Sequence, residues 1–206
     1  HNFQKGLIIT GTSLEVEPFH EKLEKITASS LSLISIREER KSLELLKKLA
    51  HSYADLAPEV IIALGGGSII DFSKLFIEEL EIITGKSTKF FVIPTKIGSG
   101  AESSITAILN SNQGKNISVN ERFVPNGIIY DLSILKNLSP LNLILGHLDA
   151  LTHCLDSLTS FNKNPYSNFL AVSAVNKFLE NSELCSEFFE DLKKEGLVQL
   201  SLLSLN

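Results

Sequence analysis

Between Lys5 and about Asp131, short apolar runs alternate with segments whose apolar positions recur at three- and four-residue spacing. That alternation predicts a parallel sheet covered by helices. Strands are expected at Gly6–Thr10, Ser30–Ile36, Val60–Leu64 and Lys89–Ile93, the last halted by Pro94. Helices are expected over Glu15–Ile26, Ser42–Leu56 and Ser68–Ile83; in the second, Leu45, Leu46, Leu49, Tyr53 and Leu56 follow helical spacing. Ser104–Leu109 and Asn116–Val119 read as a hairpin around an Asn112-Gln113-Gly114 turn, and Gly127–Tyr130 as a last strand. After Asp131 the β signal disappears. Helices are expected at Pro140–Thr159, Pro165–Leu179 and Ser186–Leu205, with Asn164 capping the second, Pro165 at its first position, and a break at Gly196 in the third. The pattern predicts an N-terminal Rossmann-like α/β domain over residues 1–135, followed by an all-α domain over residues 136–206 that reads as truncated.

Composition narrows the class. Hydrophobic residues make up 43% of the 206 residues and charged residues 21%, the balance of an ordinary globular chain. A net charge of −5 argues against a nucleic-acid surface or a basic membrane patch. No apolar run approaches the ~18 residues that a membrane span needs, and no signal-peptide pattern opens the chain. Cys154 and Cys185 are too few for a disulfide framework, so a reducing cytoplasm is expected. The chain begins at His1, contains no methionine, and ends in a stretch that reads as the middle of an apolar helix. Those features predict either a piece of a longer polypeptide or a sequence whose methionines have been left out.

The strand Val60–Leu64 breaks into Gly65-Gly66-Gly67-Ser68 at the start of a helix. Consecutive glycines let the backbone approach a ligand closely, and the helix behind them offers free N–H groups and a positive dipole end to an anion. The plainer reading is a tight strand-to-helix turn. Ser68 and Asp71 also fit a capping box. Taken alone, Asp71 reads as a cap and Lys74 as a solvated helix residue. A second loop, Pro94 to Glu102, could bring Thr95, Ser99 and glycine amides to the same phosphate or to a nicotinamide, or serve as a plain connection.

Asp149 and His153 are four residues apart, which places them on one face of a helix where they could grip one metal ion. A simple polar pair at that spacing is the competing reading. His147 falls on roughly the opposite side and reads as a capping or surface residue.

Together these segments resemble the iron-containing alcohol dehydrogenases, which share a fold with dehydroquinate synthase and glycerol dehydrogenase. A GGGSxxDxxK segment is matched by Gly65, Gly66, Gly67, Ser68, Asp71 and Lys74. A PTTxGTGSE loop is matched by Pro94, Thr95, Gly98, Gly100 and Glu102, with departures at Lys96, Ser99 and Ala101. Lys115, then Pro125 with Tyr130-Asp131, follow in the family's order, and Asp149-Ala150-Leu151-Thr152-His153 matches its D-A-x-x-H metal segment. The likeness continues through Asp156, Ser157, Ser160 and Asn164-Pro165.

The resemblance implies a metal-dependent NAD(P) alcohol dehydrogenase or aldehyde reductase. Gly65, Gly66, Gly67, Ser68, Asp71, Thr95, Ser99 and Lys115 would bind NAD or NADP. Asp149 and His153 would be the first two ligands of a divalent metal, Fe2+ or Zn2+, with two further histidines on later helices. The expected partners are a small alcohol or aldehyde and a second copy in a homodimer, with no nucleic acid and no membrane. Many members place an acid just after the first strand, where it bonds the adenosine ribose and repels a 2′-phosphate. Gly11-Thr12-Ser13 stands there instead, which predicts that NADP is tolerated. Two alternatives remain at this stage: a lyase like dehydroquinate synthase that uses NAD transiently, and a truncated, non-catalytic nucleotide-binding fragment.

Overall fold

The computed structural model describes residues 3–12, 25, 30–37, 41–111, 114–135 and 138–180. Five strands, β1 (Lys5–Gly11), β2 (Ser30–Ile36), β3 (Val60–Gly65), β4 (Lys89–Pro94) and β7 (Gly127–Ile128), form one parallel sheet in the order β2-β1-β3-β4-β7. Between β4 and β7 the chain adds an antiparallel pair, β5 (Thr106–Ser111) and β6 (Gly114–Val119), which forms its own two-stranded sheet. The expected α/β class and parallel sheet are therefore present.

Side-chain alternation along the strands divides the core in two. Leu7, Ile9, Ile61, Ala63, Phe90 and Val92 face one cluster, together with residues from helices α1 (Leu43–Tyr53) and α2 (Gly67–Thr84). Ile8, Val60, Ile62, Leu64 and Ile93 face the other, where Ile134 of the short helix α3 (Leu132–Leu135) joins them. With both faces covered, the strands are continuous apolar runs, as parallel strands require. Helix α2 is apolar around much of its circumference; Ile69, Ile70, Phe72, Phe76, Ile77 and Leu80 are all buried. It touches β3 on one side and β5 on the other, so the antiparallel pair is fastened to the sheet through this helix.

Several boundaries differ from the sequence reading. Ser42 lies outside α1 as its cap, its Oγ accepting from the Leu45 N–H at 3.1 Å. The last parallel strand stops at Ile128, although the Ile129 N–H still donates to the Val92 carbonyl. The first strand of the hairpin starts at Thr106 instead of Ser104, because Ala101–Ser103 forms a 3-10 turn. The helices expected over 15–26 and 186–205 lie outside the described residues, apart from Lys25, which is helical.

By its internal packing the chain divides into two compact units: His1–Thr95 with Gly100–Leu135, and Lys96–Ser99 with Lys136–Asn206. The second contains helices α4 (Pro140–Thr159) and α5 (Pro165–Glu180), which pack on each other. Ser139 caps α4 through its hydroxyl, and Asn164 accepts from the Ser167 N–H at 2.9 Å ahead of α5. Among the described residues, no helix is long and apolar enough to cross a membrane.

Candidate functional site

In the first unit, β3 ends in Gly65 and α2 begins at once. A Cβ on Gly65 would lie 2.6 Å from the Ile69 Cβ, so this glycine is required by the close passage of strand and helix. Gly66 is the N-cap in extended backbone, with no side-chain cap and no acid in the first turn. The helix start therefore presents a positive dipole end that no carboxylate of its own first turn neutralises. The Thr95 N–H donates to the Gly65 carbonyl at 3.0 Å, which joins the glycine turn to the beginning of the next loop.

The expected capping box at Ser68 and Asp71 is not formed. The helix starts one residue earlier, and the Ser68 Oγ accepts from the Lys41 ammonium at 2.6 Å. Asp71 is held inside its own unit: the Ile108 N–H hydrogen-bonds its carboxylate, and the Lys74 ammonium stands 3.9 Å away. Burial raises the Asp71 pKa above its ordinary value, with the Lys74 charge, the Ile108 bond and Lys41 opposing that shift.

Lys74 departs furthest from the sequence reading. Instead of being solvated it is 1% exposed. Its Nζ donates to the carbonyls of Ala101 and Ser104 at 2.7 Å each and of Thr106 at 2.8 Å. An ammonium has three N–H bonds, and all three are used. Burial lowers its pKa, while Asp71 and Glu102 raise it. The signal was present in the spacing: Lys74 falls four residues after Ile70 and three before Ile77, both buried, so it lies on the apolar face.

After β4 the chain runs through Lys96–Ser99, which packs with the second unit, and returns at Gly100. Gly100 has a left-handed backbone (φ 61°) and caps the Ala101–Ser103 turn. Glu102 accepts from the Tyr130 hydroxyl at 3.1 Å; burial and that carboxylate raise the Tyr130 pKa. Lys115 lies exposed on β6, paired in register with Asn110, on the antiparallel ribbon instead of the parallel sheet.

In the second unit, the returning loop crosses α4 at two glycines. A Cβ on Gly146 would lie 2.6 Å from the Ile97 carbonyl oxygen; one on Gly98 would lie 2.6 Å from the Gly146 oxygen and 3.0 Å from Asp149 Oδ2. Gly98 also has φ 117°, a conformation that side chains disfavour. The signal for this crossing in the sequence is Gly146 itself, since a glycine inside a helix costs ~1 kcal/mol and marks a close approach. Asp149 and His153 are both well exposed, at 48% and 59%, with Oδ1 and Nε2 3.5 Å apart. Two donors bound at ~2.1 Å in a tetrahedral shell stand ~3.4 Å apart, so the pair fits two corners of one. A carboxylate and an imidazole are also donors that iron and zinc accept. Among the described residues, no group of three or more His, Cys, Asp or Glu could hold a metal. His147 is exposed, its Nδ1 2.8 Å from the Leu143 carbonyl of its own helix.

A family model for iron-containing alcohol dehydrogenase matches residues 1–132, which ends before the Asp149–His153 pair. Among curated proteins, a probable alcohol dehydrogenase, EutG, of Salmonella typhimurium is 26% identical over 135 residues, covering 59% of this chain and 34% of its own length. The chain thus spans about a third of that relative. Among solved structures, an iron-containing alcohol dehydrogenase from Thermotoga maritima superposes with a TM-score of 0.76 at 22% identity, over 95% of this chain and 58% of its own. A sulfoacetaldehyde reductase from Bifidobacterium kashiwanohense, solved in complex with NAD+, gives 0.73 at 19% identity, over 82% and 49%. At these identities the superpositions carry the fold.

Proposed function

The chain belongs to the iron-containing alcohol dehydrogenase family, and from that membership we propose that it acts in a metal-dependent NAD(P) alcohol dehydrogenase or aldehyde reductase. One observation carries the reading: the 18-residue helix α2 opens at a glycine cap with no side-chain cap and no acid in its first turn. At the carboxyl end of a parallel strand, that is a place for the pyrophosphate of a dinucleotide. Gly65, Gly66, Gly67 and Ser68 form this cradle in the proposal, with Asp71, Thr95, Ser99 and Lys115 as further cofactor-side residues.

Asp149 and His153 would hold a divalent metal, Fe2+ or Zn2+. A metal held there would supply Lewis-acid polarisation of a substrate carbonyl, and a nicotinamide would supply hydride. Asp149 contributes negative charge that retains the cation, and His153 a neutral nitrogen donor. Gly98 leaves the Asp149 carboxylate room beside the loop. Small alcohols or aldehydes are the proposed substrates. A cytoplasmic homodimer completes the proposal, supported by the low cysteine count and by the family resemblance.

Two measurements test this reading. Asp149→Ala and His153→Ala should each weaken binding of Co2+, as a spectroscopic stand-in, by about tenfold or more; unchanged binding in both variants rejects the metal assignment. Gly11 and Thr12 place no carboxylate at the end of β1, so NADPH should bind at least as well as NADH. Strict preference for NADH rejects that part.

A further inference from the structure

We propose that Lys74 is a positioning residue for the dinucleotide, its buried ammonium holding the segment Ala101–Thr106 at the far end of the loop that begins at Thr95. The inference rests on the dinucleotide reading above. It starts from an imbalance: a buried charge is costly unless every hydrogen bond is made, yet no carboxylate contacts this one closely. Its nearest acid, Asp71, is 3.9 Å away, whereas three backbone carbonyls lie within 2.8 Å.

Those carbonyls belong to a short, irregular run. Ala101 opens the 3-10 turn, Ser104 follows it, and Thr106 begins β5. Without a donor at their centre, one buried and two partly buried carbonyls would have to find other partners, and the segment would have to unwind toward water. The loop is thus tied at both ends, once to the last residue of β3 and once to α2. At its start, the Gly65 carbonyl accepts from Thr95 as the loop leaves β4. Two turns into α2, Lys74 fixes the point at which the loop comes back. Thr95 lies at the first tie and the ammonium holds the second, so both ends of the span are anchored in the unit that carries the glycine turn.

Glu102 extends the effect. It sits inside the tethered turn, accepts from the Tyr130 hydroxyl at 3.1 Å, and acts electrostatically on Lys74. A loss of the ammonium should therefore loosen the Glu102–Tyr130 bond as well.

The test compares wild type, Lys74→Met and Lys74→Gln well below their melting temperatures, with Leu46→Ala as a control. Leu46 is buried in α1, so its truncation lowers stability without touching the loop. Amide hydrogen exchange over residues 99–107 and the Kd for NADPH, read from its fluorescence, are the two observables. The expected result is exchange at least tenfold faster over 99–107, unchanged in β1 and β3, with NADPH binding at least tenfold weaker in the Lys74 variants and not in Leu46→Ala. Exchange and Kd at wild-type values in the folded variants overturn the proposal, as does an equal loss of affinity in Leu46→Ala. Should Lys74→Met fail to fold, Lys74→Gln, which keeps two N–H donors, carries the comparison. If wild type itself binds no NADPH, the dehydrogenase reading and the cofactor half of this proposal fall together, and the exchange data alone decide whether Lys74 orders the segment.

Discussion

Helix α2 carries Asp71 and Lys74 three residues apart, and helix α4 carries Asp149 and His153 four apart. In α2 the pair lies on the packed face, and the surrounding backbone takes up its polar atoms: three carbonyls on the ammonium, one N–H on the carboxylate. In α4 both side chains are about half exposed and near each other. The difference shows what decides the use of a polar pair. Helical spacing only makes two groups neighbours; the face on which they fall determines whether the protein itself satisfies them or leaves donors for a ligand.

The comparison breaks most visibly at Lys74. Lys74→Met keeps the length of the side chain and removes all three donors, leaving one buried and two partly buried carbonyls without their partner. A loss of about 3–5 kcal/mol is expected, measured as a fall in the urea midpoint at unchanged slope. At His153, which is exposed, His153→Ala should cost well under 1 kcal/mol by the same measurement. Equal effects at the two positions would mean that the exposed pair is as structural as the buried one.

How much of this could be read from the residues follows the same division. Strands such as Val60–Leu64 were legible because a doubly covered parallel strand is an unbroken apolar run, bounded here by Glu59 and the glycines. The helix at Pro165 was legible from its proline and from the asparagine before it. Lys74 was misjudged because its charge outweighed its position, although Ile70 and Ile77 marked the face. At Ser68 a capping box and a glycine cap produce the same string of residues; the helix start at Gly67 and the Lys41 bond separate them. The 3-10 turn at Ala101–Ser103 was invisible because its stability comes from a lysine 27 residues away. For Asp149 and His153, sequence supplied the spacing and the family order, and the structure adds the exposure and the 3.5 Å separation.

A sharper form of the comparison concerns how α4 is held. Gly146 is buried inside the helix, where alanine would ordinarily stabilise by ~1 kcal/mol. Here a Cβ would lie 2.6 Å from the Ile97 carbonyl oxygen, a backbone atom that cannot swing aside. Overpacking of this kind typically costs ~1–3 kcal/mol, so Gly146→Ala should destabilise the chain by up to about 2 kcal/mol net. Thermal or urea unfolding of the variant provides the measurement. A stabilised variant would show that the loop does not rest on the helix at this point.

The smallest expected effect is the pH dependence carried by Asp71. Burial raises its pKa above the ordinary 3.8. The folded state then binds more protons than the unfolded one between 3.8 and the raised folded value. Stability contributed by this group is therefore greatest below 3.8, falls as pH rises through that window, and is flat above it. Lys74 acts in the alkaline range with the opposite slope: its lowered pKa leaves the unfolded chain binding more protons up to 10.5, so stability rises with pH there. Asp71→Asn removes the acid-side slope. Subtracting the variant's urea-unfolding free energy from that of wild type at each pH cancels the other titrating groups. The difference should decline from pH 3.8 upward and then level off. A difference that instead grows with pH would mean that Lys74 and the Ile108 N–H stabilise the carboxylate by more than burial penalises it, and α2 would then hold its pair as a favourable ion pair instead of a tolerated one.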